Sequence, residues 1–101
     1  MRRVLALDVK AAAAALVKLP EDERRRMCEL WIHQADWAHK YMKVNGKPHA
    51  VWGNGSLLDA MHIREFDVFD FGNPEHCSAM ETVLGCLVAH KCVKRTSQSR
   101  N

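Results

Sequence analysis

Cysteine and histidine are the residue types of this chain best suited to metal chemistry. There are four cysteines and six histidines, and Cys86 and His90 are four residues apart, which places them on one face of a helix. A structural zinc site usually has two pairs of closely spaced ligands, but the chain has no Cys-x-x-Cys or His-x-x-x-His pair. We therefore predict neither a metal nor a cofactor. The cysteines are instead expected to pack as small apolar side chains in a reducing cytosol.

Two carboxylate–histidine pairs form the second pattern with metal-binding potential. Asp36-x-x-His39 and Asp59-x-x-His62 have the helical spacing that di-iron bundles use, where further carboxylates on long helices complete the site. The helix expected around Asp59 is too short for that scaffold. Both aspartates are therefore expected to form local pairs on the helix surface, with Lys40 or with the histidines.

Nucleophilic catalysis finds no supporting motif. Ser56 follows Gly-Asn-Gly, but the G-x-S-x-G pattern and the strand that should precede it are absent. We therefore predict no catalytic residues and a protein that is not an enzyme.

The segment from Gly53 to Ser56 has two interpretations. Backbone amides and a helix dipole could converge there to bind an anion, assisted by Lys47 and His49. The spacing of a phosphate-binding loop is missing, however. The favoured interpretation is a tight turn, with glycines at positive φ and with Ser56 capping a helix.

Tryptophan placement points to a protein-binding role. Trp37 follows Trp31 by six residues and falls off the apolar face of the second helix. An exposed tryptophan often anchors a protein interface, whereas packing against the loop that contains Trp52 is the alternative. The predicted partner-binding residues combine aromatic and polar groups beside a glycine-rich turn. They are Trp37, His33, Lys40, Trp52, His49 and Asn54.

Basic residues are concentrated at the end of the chain. The formal net charge is +3, and the four basic residues after position 90 leave the remainder close to neutral. A DNA-binding domain normally carries a basic stripe on its folded surface, so this balance disfavours such a role. A nucleic-acid-associated subunit remains an alternative, with these phosphate contacts: Arg2, Arg3, Lys94 and Arg95.

Apolar spacing and capping residues predict four helices. Asp8 is expected to cap the first helix, Gly46 to end the second and Ser56 to cap the third. Asn73, which precedes a proline, predicts the start of a fourth helix that ends at about residue 93. The predicted fold class is therefore all-α, a small irregular bundle of about four helices.

The same spacing predicts which helix faces are buried. In the second helix these residues are Met27, Leu30, Trp31, Ala35, Ala38 and Met42. In the fourth helix they are Cys77, Met80, Val83, Leu84, Leu87 and Val88.

Extended segments and a tail complete the predicted organisation. Short extended segments are expected at residues 2–7 and 64–71, and their pairing as a small sheet is left open. Residues 1–93 are predicted to form a single helical domain and residues 94–101 a mobile basic tail. The longest apolar run, Ala11 to Val17, is too short to cross a bilayer. A cytoplasmic protein without a membrane partner is therefore expected.

Three segments cover most of the chain with a recognisable pattern. They are DVKAAAAALVKLP from residue 8, YMKVNGKPHAVWGNGSLLDA from residue 41 and FGNPEHCSAMETVL from residue 71. Together they resemble a small uncharacterised family of Rhodobacter-like alphaproteobacteria, and W-G-N-G-S-L is the most specific piece. The resemblance implies an association with phage-like or gene-transfer-agent gene clusters. It implies no established activity and supplies no catalytic residues.

These observations lead to three hypotheses of different classes. The leading one is a non-catalytic helical module that binds another protein, as an adaptor or inhibitor of phage-derived origin, with a homo-oligomer also considered. The first alternative is a nucleic-acid-associated subunit, such as a DNA-packaging component. The second alternative is a small metal-binding protein.

Overall fold

Four α-helices account for the regular structure of the residues that the structure describes. The computed structural model describes the backbone of residues 1–61 and 69–99, and side chains up to residue 91 within these ranges. The helices are α1 (Ala6–Val17), α2 (Glu21–Asn45), α3 (Leu57–Ala60) and α4 (Pro74–Ser99). The described ranges contain no strand and a single isolated bridge, between His49 and Gly53. The all-α prediction is confirmed.

Helix α1 begins earlier than predicted, because Asp8 is not its cap. Leu5 occupies the N-cap position, and Asp8 is the third residue of the helix. Asp8 Oδ2 accepts a hydrogen bond from the Leu5 N–H at 2.8 Å, and Asp8 Oδ1 accepts one from the Leu58 N–H at 3.3 Å. The carboxylate therefore satisfies backbone donors at the starts of two helices. The predicted extended segment at 2–7 is correspondingly wrong at its end, since Ala6 is already helical.

The N-terminal segment contacts the loop before α3. The Arg2 N–H donates to the Gly55 carbonyl at 2.9 Å. Of the segment predicted as extended at 64–71, the structure describes residues 69–71. Phe69 packs against the core, whereas Phe71 is exposed. The rest of that segment, and its pairing with residues 2–7, lie outside the described residues.

A tight turn at Leu19-Pro20 joins α1 to α2. Arg24 is buried, and its guanidinium donates to the Leu19 carbonyl at 3.2 Å and to the Val17 carbonyl at 3.4 Å. The last carbonyls of a helix have no partner within the helix. The Arg24 side chain therefore caps the end of α1 from the first turn of α2.

The core lies where α1 and α2 pack against α4. Residues 11–14 of α1 are all alanine and all buried, and because they span a full helical turn, α1 is covered on several sides, by α4, α2 and α3. Larger apolar side chains close the core around this turn. They include Leu16, Ile32, Leu57, Val83 and Leu87.

The buried faces of α2 and α4 agree with the predicted faces in part: Ala35, Ala38, Val83 and Leu87 are buried, and Met27, Trp31 and Met80 pack against the core. Leu30 is exposed, and the core positions of α2 include Cys28 and Ile32. In α4, Ala79 and Cys86 are buried, whereas three residues predicted to be buried are exposed: Cys77, Leu84 and Val88. Both helices carry apolar residues on more than one side, so apolar spacing alone fits two faces.

Helix α4 continues to Ser99, beyond the predicted end near residue 93. The helical backbone thus includes most of the segment predicted to be a mobile tail. The division between a domain and a tail at residue 93 stays a prediction. Within the described ranges, no helix combines the length and the apolar character needed to cross a membrane.

Candidate functional site

The outward side of α2 carries a row of exposed apolar residues. Leu30, Trp37 and Val44 are 46%, 64% and 84% exposed. They follow one another at intervals of seven residues, close to two helical turns, so they lie in one row. Cys28 and Ala35, on the opposite side of the helix, are fully buried. Trp37 is therefore a surface residue, which decides between the two interpretations of its position.

Two predicted partner-binding residues flank this tryptophan. Lys40 Nζ lies 5.8 Å from the centroid of the Trp37 ring, within range of a cation–π interaction. His33 is exposed about one turn before Trp37. We call Leu30, His33, Trp37, Lys40 and Val44 the Trp37 face. It combines apolar anchors with basic groups at one edge.

Charge is distributed unevenly along α2. Ion pairs in its first half are Arg25–Glu29 at 3.1 Å and Arg26–Glu23 at 3.6 Å. Between Asp36 and Asp59 the chain has three lysines and no acidic residue. The second half of α2 and the loop that follows it therefore carry positive charge that no neighbour in the sequence balances.

His49 and Trp52 form a stacked pair in the loop after α2. Their ring centroids are 4.7 Å apart with planes inclined by 13°, and Tyr41 meets the His49 ring edge-on at 4.9 Å. The backbone N–H groups of Val51 and Trp52 both donate to His49 Nδ1 at 3.0 Å. Tyr41 follows Trp37 by one helical turn, so this cluster adjoins the Trp37 face.

The glycine-rich segment 53–56 forms the predicted turn. Gly53 and Gly55 have φ angles of +77° and +96°. Ser56 caps α3, since its hydroxyl oxygen accepts from the Asp59 N–H at 3.2 Å. The Asp59 carboxylate in turn accepts from the Asn54 N–H at 3.2 Å. A carboxylate of the chain itself thus occupies an amide that an anion would have used, and the turn interpretation is confirmed.

Asn54 lies apart from the Trp37 face and lines a cavity. The cavity has a volume of about 280 Å³ and is lined by Arg2, His39, Met42, Lys43 and Asn54. His39 lies on the opposite side of α2 from Trp37, because two residues advance the helix by slightly more than half a turn. The structure therefore places Asn54 and Trp37 on opposite sides of α2.

Asp36 is buried between α2 and α4 rather than on the helix surface. It forms an ion pair with the Met1 ammonium group, and its Oδ2 lies 3.5 Å from His90 Nε2. The rings of His33 and His90 meet edge-on with centroids 6.4 Å apart. The expected position of Asp36 on the helix surface is therefore wrong, because this carboxylate is buried beside a terminal cation and a histidine from α4. For the second pair, His62 lies outside the described residues.

Three neighbouring side chains have the chemical types of a catalytic triad: a nucleophile, Cys86, a base, His90, and a carboxylate to orient the base, Asp36. Cys86 precedes His90 by one helical turn, and His90 contacts Asp36. Burial raises the pKa of the Cys86 thiol, and burial together with the neighbouring Cys86 raises the pKa of Cys28. A buried thiol of raised pKa carries little of the reactive thiolate at neutral pH. The geometry therefore favours a packing role for both cysteines.

Alkylation is expected to distinguish the exposed cysteine Cys77 from the buried cysteines Cys28 and Cys86. Iodoacetamide at neutral pH should modify Cys77 in the native protein, because this thiol is exposed, and should leave Cys28 and Cys86 intact. In urea, Cys28 and Cys86 should react as well. Peptide mass spectrometry gives the extent of modification at each site. Rapid modification of native Cys86 would contradict its packing role and support a nucleophile.

His39 is held in an environment that disfavours its charged form. Burial lowers the pKa of His39, and so does the positive charge of the N-terminal ammonium group, of Lys43 and of Arg2. Asp36 opposes these effects. The buried Nδ1 atom of His39 has no hydrogen-bond partner among the described residues. A neutral imidazole in a basic environment is the expected state.

The lowered pKa of His39 makes stability depend on pH. Because His39 in the unfolded chain titrates near its ordinary value of 6.5, the unfolded state binds a proton that the folded state does not. The resulting stabilisation is present above that value and is lost as the pH falls towards the folded pKa. Urea unfolding at pH 7 and pH 5 should therefore show a smaller pH dependence for His39→Gln than for the wild type. Equal pH dependence in both proteins would contradict this assignment.

The structure describes only some of the residues that were predicted for the two alternative functions, metal binding and nucleic-acid binding. Among the described residues, no group of three histidine, cysteine or acidic side chains is arranged to hold a metal ion. Arg2 and Arg3 are exposed and line a second cavity at the start of α1. The side chains of Lys94 and Arg95 lie outside the described residues.

Analysis of the sequence alone misses some residues of the Trp37 face and of the cavity that contains His39. It assigns Leu30 to the core and gives Val44 no role, although their spacing from Trp37 by seven residues indicates a shared row. It gives Lys43 no role either, although the acid-free run around this lysine indicates a basic surface. No sequence signal pairs Arg2 with His39, because the fold alone brings residues so distant in sequence together.

Comparison with known proteins yields one family. A family model described as a domain of unknown function, DUF7742, matches residues 2–87. No curated protein and no solved structure matches the chain.

Proposed function

The chain belongs to the DUF7742 family of domains of unknown function, and we propose that it is a non-catalytic module that binds another protein through the Trp37 face. The observation that carries this proposal is the exposure of Trp37, which is 64% exposed in the middle of a row of apolar residues. Tryptophan is enriched among the residues that contribute most to protein interfaces. An adaptor or an inhibitor would both use such a surface.

The charges around the Trp37 face indicate the chemistry of the partner. Lys40 lies in a stretch without acidic residues, whereas Arg25 and Arg26, nearer the start of α2, are paired with glutamates. An apolar groove bordered by acidic residues complements such a face in both polarity and charge. A second copy of the chain would bring the same basic edge against itself, which disfavours a homo-oligomer through this face.

Photo-crosslinking at the Trp37 face tests whether it binds a partner. Benzoylphenylalanine is placed at Val44 in one variant and at Val88 in another, because both valines are exposed and Val88 lies on α4. Crosslinking in the native cell should give one defined heterologous adduct from position 44 and none from position 88. Identical adduct patterns from both positions would contradict a specific face.

Once the crosslinked partner is identified, Trp37→Ala is expected to weaken its binding to this protein at least about thirtyfold, or ~2 kcal/mol. The free energy of unfolding should change by less than ~0.5 kcal/mol, because an exposed residue buries little area in the monomer. Leu84→Ala is the matched control, since Leu84 is an exposed apolar residue of α4. Isothermal titration calorimetry gives both affinities. Equal effects of the two substitutions would overturn the proposal.

A nucleic-acid-associated subunit, such as a DNA-packaging component, is the second candidate. The observation that favours it is the proximity of Arg2 to Lys43 at one cavity, with Arg3 exposed beside them. This function predicts DNA binding whose logarithm of affinity falls linearly with the logarithm of salt concentration. Removal of residues 94–101 should weaken that binding if Lys94 and Arg95 also contact phosphates.

Origin and location belong to the same proposal. The resemblance to proteins of Rhodobacter-like alphaproteobacteria, near phage-like gene clusters, supports a phage-derived module that acts in the cytoplasm. A small metal-binding protein has the least support, because no suitable group of ligands occurs among the described residues.

A further inference from the structure

We propose that the cavity lined by Arg2, His39, Met42, Lys43 and Asn54 binds a phosphate group. This site lies on the opposite side of α2 from Trp37 and does not depend on the protein-binding function proposed above. Its ligand class is a phosphate monoester or diester.

Three separate segments of the chain supply donors to this cavity. Arg2 comes from the N-terminal segment, His39 and Lys43 from α2, and Asn54 from the glycine-rich turn. A guanidinium group, an ammonium group, an imidazole and an amide are together suited to a tetrahedral oxyanion with several acceptor oxygens. The volume of about 280 Å³ fits a small group and is below the usual range for drug-sized ligands.

Among the described residues, no carboxylate lines the cavity, and two aspartates close to its lining residues in sequence already have partners. Asp59 accepts a hydrogen bond from the Asn54 N–H, and Asp36 pairs with the N-terminal ammonium group. The charges of Arg2 and Lys43 therefore meet no opposite charge among the described lining residues. An anion is the ligand that this unbalanced charge favours.

Backbone contacts hold together the segments that carry the donors before any ligand binds. The Arg2 N–H bond to the Gly55 carbonyl, at 2.9 Å, fixes the N-terminal segment against the turn. Gly55 also packs directly on the backbone of His39, so the turn and α2 keep a constant separation. A site with fixed donors loses less conformational entropy on binding than a flexible one.

His39 supplies an independent observation. Its Nδ1 atom is buried and has no hydrogen-bond partner among the described residues, although a buried polar atom usually has one. The surrounding positive charges also contribute to the lowered pKa of this imidazole. A bound phosphate would counter those charges, which favours the protonated form of the ring.

Titration with inorganic phosphate, followed by NMR of the histidine ring protons, tests the site. Phosphate should shift the His39 signals saturably and should raise the midpoint of its pH titration. Arg2→Gln and Lys43→Gln should each weaken phosphate binding at least about tenfold. Lys47→Gln is the matched control, because Lys47 lies in the same acid-free stretch but not in the cavity lining. It should change the affinity less than about twofold.

Three results would overturn the proposal: no saturable shift of His39, no change in its titration midpoint, or equal effects of Lys43→Gln and Lys47→Gln. Trp37→Ala should leave phosphate binding intact, which keeps this test separate from that of the protein-binding face. A mononucleotide and a short single-stranded oligonucleotide then distinguish the source of the phosphate. Tighter, salt-dependent binding of the oligonucleotide identifies a phosphodiester backbone, and equal binding identifies a terminal phosphate.

Discussion

Replacing Gly55 with alanine is expected to lower the free energy of unfolding by about 3 kcal/mol. Gly55 has a φ of +96°, a conformation that residues with a Cβ adopt at a cost. A Cβ at this position would lie 2.7 Å from His39 Cα and 3.0 Å from His39 N. Since both are atoms of the α2 backbone, a rotamer change cannot relieve the contact. Urea unfolding followed by circular dichroism measures the loss.

Substitutions at two other glycines distinguish the conformational cost of alanine from its steric contact with α2. Gly46 has a φ of +70°, and a Cβ added there would meet no atom within 4 Å, so Gly46→Ala should show the conformational cost alone, about 1 kcal/mol. Gly85 lies in α4 with ordinary helical geometry and open surroundings, so Gly85→Ala should stabilise the protein by about 0.5 to 1 kcal/mol. If Gly55→Ala cost no more than Gly46→Ala, the close approach of the turn to α2 would be refuted.

Replacing Asp8 with alanine is expected to cost a similar amount, about 3 kcal/mol. Asp8 is 7% exposed, and its two carboxylate oxygens accept hydrogen bonds from the backbone of Leu5 and of Leu58. Alanine would leave both N–H groups without this acceptor at the starts of α1 and α3. Each unsatisfied donor away from solvent costs about 1 to 3 kcal/mol. Thermal and urea unfolding both report the change.

Asp8→Asn and Asp59→Ala are the controls for this prediction. Asparagine keeps one acceptor oxygen, so Asp8→Asn should lose roughly half as much stability as Asp8→Ala. Asp59 also accepts a backbone hydrogen bond, but it is exposed, and water can replace it. Asp59→Ala should therefore cost less than about 1 kcal/mol. Equal losses for Asp8→Ala and Asp59→Ala would show that burial of the Asp8 contacts is unimportant.

Local chemistry explains which helix ends could be predicted. Gly46 ends α2 in the left-handed conformation, and Ser56 caps α3, as the sequence predicts. Both assignments depend on hydrogen bonds within a few residues of the chain. The sequence places Asp8 at the cap instead of inside the helix, because an acidic residue suits several positions around the first helical turn. The contact of Asp8 with Leu58, fifty positions away, has no local signal.

Long-range packing explains what could not be predicted of the candidate sites. The exposure of Trp37 follows from its place off the apolar face of α2, although that face itself is centred on Cys28 and not on Leu30. The cavity with Arg2 and His39 requires the N-terminal segment to cross the turn at Gly55. Such a crossing depends on tertiary structure, which apolar spacing within one helix does not encode.

The run of buried alanines in α1 matters more for how closely other helices approach than for the hydrophobic free energy that it contributes. An alanine methyl group buries little apolar area, so residues 11–14 add less hydrophobic free energy than the leucines and valines around them. What four small side chains in succession do provide is a full helical turn of α1 without bulk, so that α4, α2 and α3 can all approach this helix closely. Leu16 and Val83 belong to the core around this turn, so the close packing of the helices depends on residues that contribute little hydrophobic free energy themselves.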